Sequence, residues 1–269
     1  MQFVFTANPE DYTNRGSIVT PLKDRIGSQI LTHYPENIEI ARTITEQESK
    51  LDQNQTDVVY VPSLARDILE QISFEARESE YIDNKSGVSA RMSITAFENL
   101  ISTAERRALI SGVDKTTLRL SDFVGIIPAI TGKVELVYEG EQEGADVVAE
   151  SLIGSAIKTL FPEYFPKIEK LEKPDEKTPY SEVVEWFFAE SGFELLDDAS
   201  DKEYKAILDE VTPLDELLKK YQPQLAKEDV YFIKEFILWG LVEYKKLSKD
   251  RFAKGNQFRD IYGSYISKF

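Results

Sequence analysis

The stretch that most limits how this chain can fold is Ala226 to Leu247, AKEDVYFIKEFILWGLVEYKKL. Val230, Ile233, Ile237 and Leu241 recur at helical spacing on one face, and Tyr231, Phe232, Phe236 and Trp239 add an aromatic stripe. A helix with so much apolar surface needs other elements to cover it, so the rest of the chain must supply a core. The aromatic stripe reads as part of that core, with a docking face for a partner as the sharper alternative.

Other segments repeat the helical period. Leu64, Ile68, Ile72 and Ala76, spaced by four, predict a helix from Val61-Pro62-Ser63 to about Tyr81. Asn37 to Leu51 carries Ile40, Ile44 and Glu48 at the same spacing. Ile94, Phe97, Ile101, Ala104 and Ala108 line a further helix, with Ser93 or Thr95 as its cap and Thr95-Ala96-Phe97-Glu98 as a capping box. Val147, Leu152, Ile153 and Ile157 predict a helix to Phe161, stopped by Pro162. Thr178-Pro179 and Thr212-Pro213 each set a cap and first turn, for helices through Phe188 and Tyr221.

Between these lie the connections. Asp52 to Asp57 reads as a polar turn and Asp83 to Gly87 as a loop. Ser121 to Ile130 reads as a short helix interrupted near Pro128. Lys133 to Tyr138 suits a strand, and a helix equally well. Gly140-Glu141-Gln142-Glu143-Gly144 reads as a turn, since its acidic residues would repel phosphate. Lys167 to Lys177 is linker-like, and the aromatic tail Phe258 to Phe269 is free to fold back onto the body.

Composition removes several kinds of chemistry. The chain has no cysteine, so disulfides and thiolate metal sites are out. Its one histidine, His33, falls in a predicted strand and reads as a partly buried polar residue, not a metal ligand. Acidic pairs such as Asp197-Asp198 and Asp215-Glu216 read as solvated helix ends, because nothing convergent surrounds them. No long apolar run or basic-then-apolar leader occurs, which makes a membrane unexpected and the cytoplasm the expected location. A net charge of −16 argues against a nucleic-acid surface. The bases are uneven: nine of the 14 in residues 1–134 are arginine, against two of the 18 in residues 135–269. Arginine's planar fork suits phosphates and carboxylates, so ligand and subunit contacts are expected in the first half.

That half opens on MQFVFTANPEDYTNRGSIVTPLKDRIGSQILTHY. Met1 to Ala7 has a strand's β-branched and aromatic residues, ended by Asn8-Pro9. Arg15 and Arg25 follow, the latter within Leu22-Lys23-Asp24-Arg25-Ile26, and Ser28 to His33 suits a second short strand. Arg25 and Arg15 could equally be structural arginines pairing with Glu10, Asp11 or Asp24. Arg91, just ahead of a helix, could be a surface residue in a weak ion pair.

Taken together, three elements in order resemble the last part of an AAA+ ATPase core, most closely the magnesium-chelatase-like, MoxR-related clade. The strand ending in Thr6-Ala7-Asn8-Pro9-Glu10 resembles sensor 1, Leu22-Lys23-Asp24-Arg25-Ile26 resembles the arginine-finger element, and Ser89-Ala90-Arg91 resembles sensor 2 of the helical lid. The likeness covers residues 1–135 well and the remainder weakly. It departs from the usual pattern at Lys23, often leucine, and at Ile26-Gly27, commonly Phe-Gly. It implies that Asn8 orients the attacking water, Arg25 stabilises charge on a neighbouring subunit's nucleotide with Arg15 as a second trans arginine, and Arg91 reads the γ-phosphate.

No Gly-x-x-x-x-Gly-Lys motif followed by serine or threonine occurs, and no acidic metal-holding strand precedes the sensor 1 match. The chain therefore reads as the C-terminal portion of a longer ATPase that would use ATP and Mg2+, while this chain alone should neither bind them tightly nor hydrolyse ATP. The expected fold is mainly α. A short α/β remnant of the AAA+ core (1–36) is followed by a helical lid (37–135) and an acidic helical C-terminal region (136–269). The resemblance implies a ring oligomer, commonly a hexamer, that remodels a partner, often one with a von Willebrand factor A-type domain. The rival reading is a helical protein-interaction module without catalysis.

Overall fold

A computed structural model describes residues 3–6, 21, 24–83, 86–169, 177–190 and 193–261. These residues are mainly helical. Helix α1 (Ile38–Glu48) starts where Asn37 accepts the Ile40 N–H at 2.9 Å. The polar stretch read as a turn is instead helix α2 (Gln53–Val58). Asp52 accepts the Asn54 N–H at 2.8 Å, and Gln55 accepts the Asp52 N–H at 3.1 Å. Reciprocal capping gives this short polar segment its helical start. Strand β1 (Val59–Tyr60) then pairs in parallel with β2 (Thr116–Thr117).

Helix α3 (Ser63–Glu78) buries Leu64, Ile68, Ile72 and Ala76. Helix α4 (Arg91–Ser111) starts earlier than either expected cap. Ser93 is buried and shares a 2.6 Å hydrogen bond with Ser73, while Glu98 accepts the Lys50 N–H at 2.8 Å. Ser89 instead accepts the Arg91 N–H, at 3.2 Å. A 3-10 helix (Leu120–Ile126) runs into α5 (Ile127–Thr131), with Pro128 in the first turn, where its missing N–H costs nothing. Leu136 forms only a bridge to Ile82. The glycine-flanked acidic stretch read as a turn is helix α6 (Tyr138–Glu143), ended at Gly144 with φ +99°.

Helix α7 (Ala145–Tyr164) continues past Pro162, where a stop was expected. The proline cannot donate to the Lys158 carbonyl four residues back. The Tyr244 hydroxyl donates to that carbonyl at 3.2 Å, so the last turn survives. Helix α7 is buried along most of its length and packs against both α3 and α11.

The remainder comprises α8 (Ser181–Ala189), β3 (Phe193–Leu196), α9 (Asp201–Glu210), α10 (Pro213–Tyr221), α11 (Val230–Glu243), β4 (Leu247–Phe252) and β5 (Gly255–Asp260). The strands form an antiparallel sheet in the order β3-β5-β4. The hairpin thus closes on the strand that precedes the three helices, which ties the end of this region back to its beginning. The C-terminal region, expected to be helical, is mainly helical and carries this small sheet in addition. Helix α11 is shorter than the apolar stretch that encodes it, because Lys245 adopts φ +57° and turns the chain into β4. Phe232, Phe236 and Trp239 are buried, so the aromatic stripe is core and not a docking face. One contiguous core runs from Val59 to Phe258.

The two strands expected at the N-terminus are not formed in its described parts. Phe3–Thr6 and Ser28–His33 are irregular and exposed, and His33 is exposed rather than partly buried. A single extended segment has no ladder in which to satisfy its backbone, whatever its side-chain preference.

Candidate functional site

Of the four residues singled out from sequence, Asn8 and Arg15 lie outside the described residues. Arg25 sits in an exposed turn with Asp24. Arg91 is the first residue of α4 and is also exposed. A cation there faces the positive end of a 21-residue helix, and Ala90 in the cap position offers no side-chain acceptor. An anion in front of this end would be attracted by both the guanidinium and the first-turn N–H groups.

The segment after Arg25 is docked beside the loop that precedes Arg91. The Tyr34 ring lies 4.3 Å from the Arg77 guanidinium carbon, and the Val88 N–H donates to the Tyr34 hydroxyl at 3.2 Å. Gly87, at φ +70°, leaves room for that hydroxyl, since a Cβ there would lie 2.4 Å from it. Burial holds the Arg77 guanidinium below its usual pKa, opposed by Tyr34 and Glu70. Arg25 lies nine residues back along an exposed chain from that anchor.

The other arginines of the first half are largely engaged inside the fold. Arg42 pairs with Asp67 at 2.8 Å, Arg66 pairs with Glu46, and Arg106 pairs with Asp198 at 3.1 Å. Arg107 and Arg119 are buried in a polar network that sequence reading missed. Arg107 donates to both oxygens of Asp122 (3.2 and 2.9 Å), to Thr116 Oγ1 (2.8 Å), to Asp201 Oδ1 (3.1 Å) and to the Thr117 carbonyl (3.0 Å). Arg119 donates to Asp201 Oδ1 (2.6 Å) and the Ala199 carbonyl (2.9 Å), with its guanidinium carbon 4.1 Å from the Tyr204 ring centre. Glu235, fully buried, accepts from the Leu120 N–H (2.9 Å), the Tyr204 hydroxyl (2.7 Å) and Trp239 Nε1 (3.3 Å). No local pattern marks these residues, because their partners lie up to 115 positions apart.

The acidic pairs are also engaged rather than simply solvated. Asp197 takes a two-pronged contact from Arg251 at 2.9 and 2.7 Å, and Asp215 pairs with the buried Lys234 at 2.9 Å. Among the described residues no group of three or more His, Asp or Glu is placed to hold a metal ion. Among them, too, no helix is long and apolar enough to cross a membrane. Compared with models of known families, with curated proteins and with solved structures, the chain matches none.

Proposed function

We propose that this chain is the sensor, arginine-finger and lid portion of a magnesium-chelatase-like AAA+ ATPase, coupling ATP hydrolysis in a ring to remodelling of a partner protein. One observation carries the reading. Among the ten described arginines, Arg25 and Arg91 are the two whose guanidinium groups meet no partner among the described residues. A guanidinium offers five donors in a fork that matches phosphate oxygens, so one that no protein group engages is available to an anionic ligand. The two free ones are those the resemblance assigns to phosphate.

Exposed apolar residues add support. Phe3, Val4, Phe5, Ile30 and Leu31 are between 63% and 90% exposed, as strand residues would be without the sheet of a nucleotide-binding half. In this reading Asn8 positions water, Arg25 (with Arg15 as its alternative) acts in trans, and Arg91 contacts the γ-phosphate. ATP and Mg2+ bind only when the nucleotide-binding half is present.

The test is ATP turnover and ring assembly by this chain beside a version extended upstream through its gene. Turnover by the extended protein alone, lowered by about a hundredfold or more in Arg25→Ala or Arg91→Ala, supports the reading. An upstream segment without a phosphate-binding loop, or turnover indifferent to both arginines, overturns it.

A second reading, a protein-interaction module, draws on Leu109, Ile110 and Phe188, which are apolar and 56% to 75% exposed. It requires partner binding that ignores nucleotide and is weakened by polar substitution at those three positions.

A further inference from the structure

Residues 181–260 (α8 through β5) form a module that meets α4 at a buried polar joint centred on the Asp201 carboxylate, with Arg106–Asp198 as an exposed pair beside it. We propose that Asp201 is a positioning residue that locks α4, and Arg91 with it, to this module, so that the three-stranded sheet moves with Arg91 as one body. The link to nucleotide rests on the reading of Arg91 given above.

Asp201 is the first residue of α9, behind the Ser200 cap. Its Oδ1 takes donors from three side chains on the other side of the joint: Arg107 at 3.1 Å, Arg119 at 2.6 Å and Thr116 at 3.1 Å. All five N–H groups of Arg107 are engaged, so that guanidinium cannot turn without leaving buried donors unmet. The Arg119 guanidinium also reaches the Ala199 carbonyl, and its backbone N–H donates to Asp122 at 2.8 Å. Glu235 adds a second tie, from α11 to the Leu120 N–H.

The lock needs a stiff arm. Helix α4 runs from Arg91 to Ser111 without glycine or proline. The 16 residues from Arg91 to Arg107 span about 24 Å at 1.5 Å per residue. Near its start the arm is fixed by the buried Ser93–Ser73 hydrogen bond, and near its end by Arg107. A displacement at Arg91 is thereby delivered to α9.

Beside this joint the interface is partly open and polar. A cleft of about 240 Å³ separates Thr117–Arg119 from Lys205, Lys227 and Tyr231. It is smaller than the usual range for small-molecule sites, and polar groups from both sides line it. Apolar contact between the halves passes through α7, which touches α3 and α11, and through the 3-10 helix, which touches α4 and α11. The hydrophobic effect is non-directional, whereas a carboxylate shared by two buried guanidinium groups fixes orientation.

The test is a distance between spin labels on this cysteine-free chain, placed by Ser102→Cys on the exposed side of α4 and Lys254→Cys at the hairpin turn. The parent should give one narrow distance, and Asp201→Asn, which keeps shape but removes the charge, should lose that single narrow peak while keeping its helical circular dichroism. Should Asp201→Asn fail to fold, Arg119→Lys, which cannot reach both Asp201 and the Ala199 carbonyl, takes its place with the same two outcomes. A broad distribution in the parent, or an unchanged one in the folded variant, overturns the lock. Failure of the upstream-extended protein to bind ATP would overturn the reading of Arg91 and leave the lock to be judged on the distances.

Discussion

The Tyr204 hydroxyl donates to Glu235 Oε2 at 2.7 Å, inside a core where Glu235 is fully buried. Burial pushes the Glu235 carboxyl up to about 7, with Asp122 adding to the rise and Tyr204, Arg119 and the Leu120 N–H opposing it. Lys249, on β4, also feels this carboxylate. In the unfolded chain the group titrates near 4.5, so between these values the folded state holds a proton that the unfolded state has lost. The stability contributed is therefore complete below about 4.5 and is lost as pH rises through about 7. Glu235→Gln should remove this term. The difference in unfolding free energy between parent and variant, followed by denaturant titration from about pH 5 to about pH 8, should move against the parent by as much as ~3 kcal/mol. A pH-independent difference would sink the prediction.

Gly240 marks where α11 crosses α7. A Cβ there would lie 2.2 Å from Phe161 Cδ2, and the Phe161 ring is hemmed in by Phe165, Tyr180, Phe236 and Tyr244 at centroid distances of 5.5 to 5.8 Å. Helix propensity alone would favour Gly240→Ala by about 1 kcal/mol. Overpacking should outweigh it, for a net loss of ~1–2 kcal/mol. Thermal unfolding decides the sign, and a raised midpoint would mean that the two helices can part cheaply.

The helices were legible because their apolar faces repeat every three to four residues. Leu64 through Ala76 and Thr212-Pro213 announce α3 and α10 without help from the rest of the chain. The hairpin was not legible. Strand β4 reads LSKDRF and β5 reads GNQFRD, with Leu247 and Phe258 as their main buried apolar anchors. What makes Phe258 a core residue is the edge-to-face contact with Phe193 at 6.1 Å, a partner 65 positions away. The polar network escaped for the same reason. Nothing local sets Arg107 and Arg119 apart from the other arginines of the first half, and only the fold brings Asp201 to them. Arg25 and Arg91 were singled out by resemblance, because each sits in a short motif of its own, Leu22-Lys23-Asp24-Arg25-Ile26 and Ser89-Ala90-Arg91.

Tyr34 supplies a check on how the N-terminal segment is held. Its hydroxyl accepts the Val88 N–H and its ring covers Arg77. Tyr34→Phe removes only the hydrogen bond, while Tyr34→Ala also removes the cation–π contact, each worth about 0.5–1.5 kcal/mol. Limited proteolysis should cut within residues 24–36 faster in the order parent, Tyr34→Phe, Tyr34→Ala. Equal cutting rates would show that the segment is held elsewhere.

Two helices end in the same backbone motif with opposite residue choices. At the end of α4, Gly112 takes φ +65°, its N–H reaches the Leu109 carbonyl at 3.2 Å, and the Val113 N–H reaches Ala108 at 3.1 Å. At the end of α11, Lys245 takes φ +57°, its N–H reaches Val242 at 2.9 Å, and the Lys246 N–H reaches Leu241 at 2.8 Å. This left-handed cap suits glycine, because a Cβ crowds the neighbouring carbonyl at a cost of roughly 1–2 kcal/mol. Lys245 bears that cost, and its side chain is exposed. Lys245→Gly should therefore stabilise by about 0.5–1 kcal/mol, the relief of strain exceeding the greater freedom glycine gives the unfolded chain. Gly112→Ala should destabilise by a similar amount, although open space surrounds the site. Chemical denaturation of both variants separates conformation from contact. Opposite signs mean the φ angle sets the energy, whereas a loss in Lys245→Gly would mean that the lysine side chain holds the turn into β4.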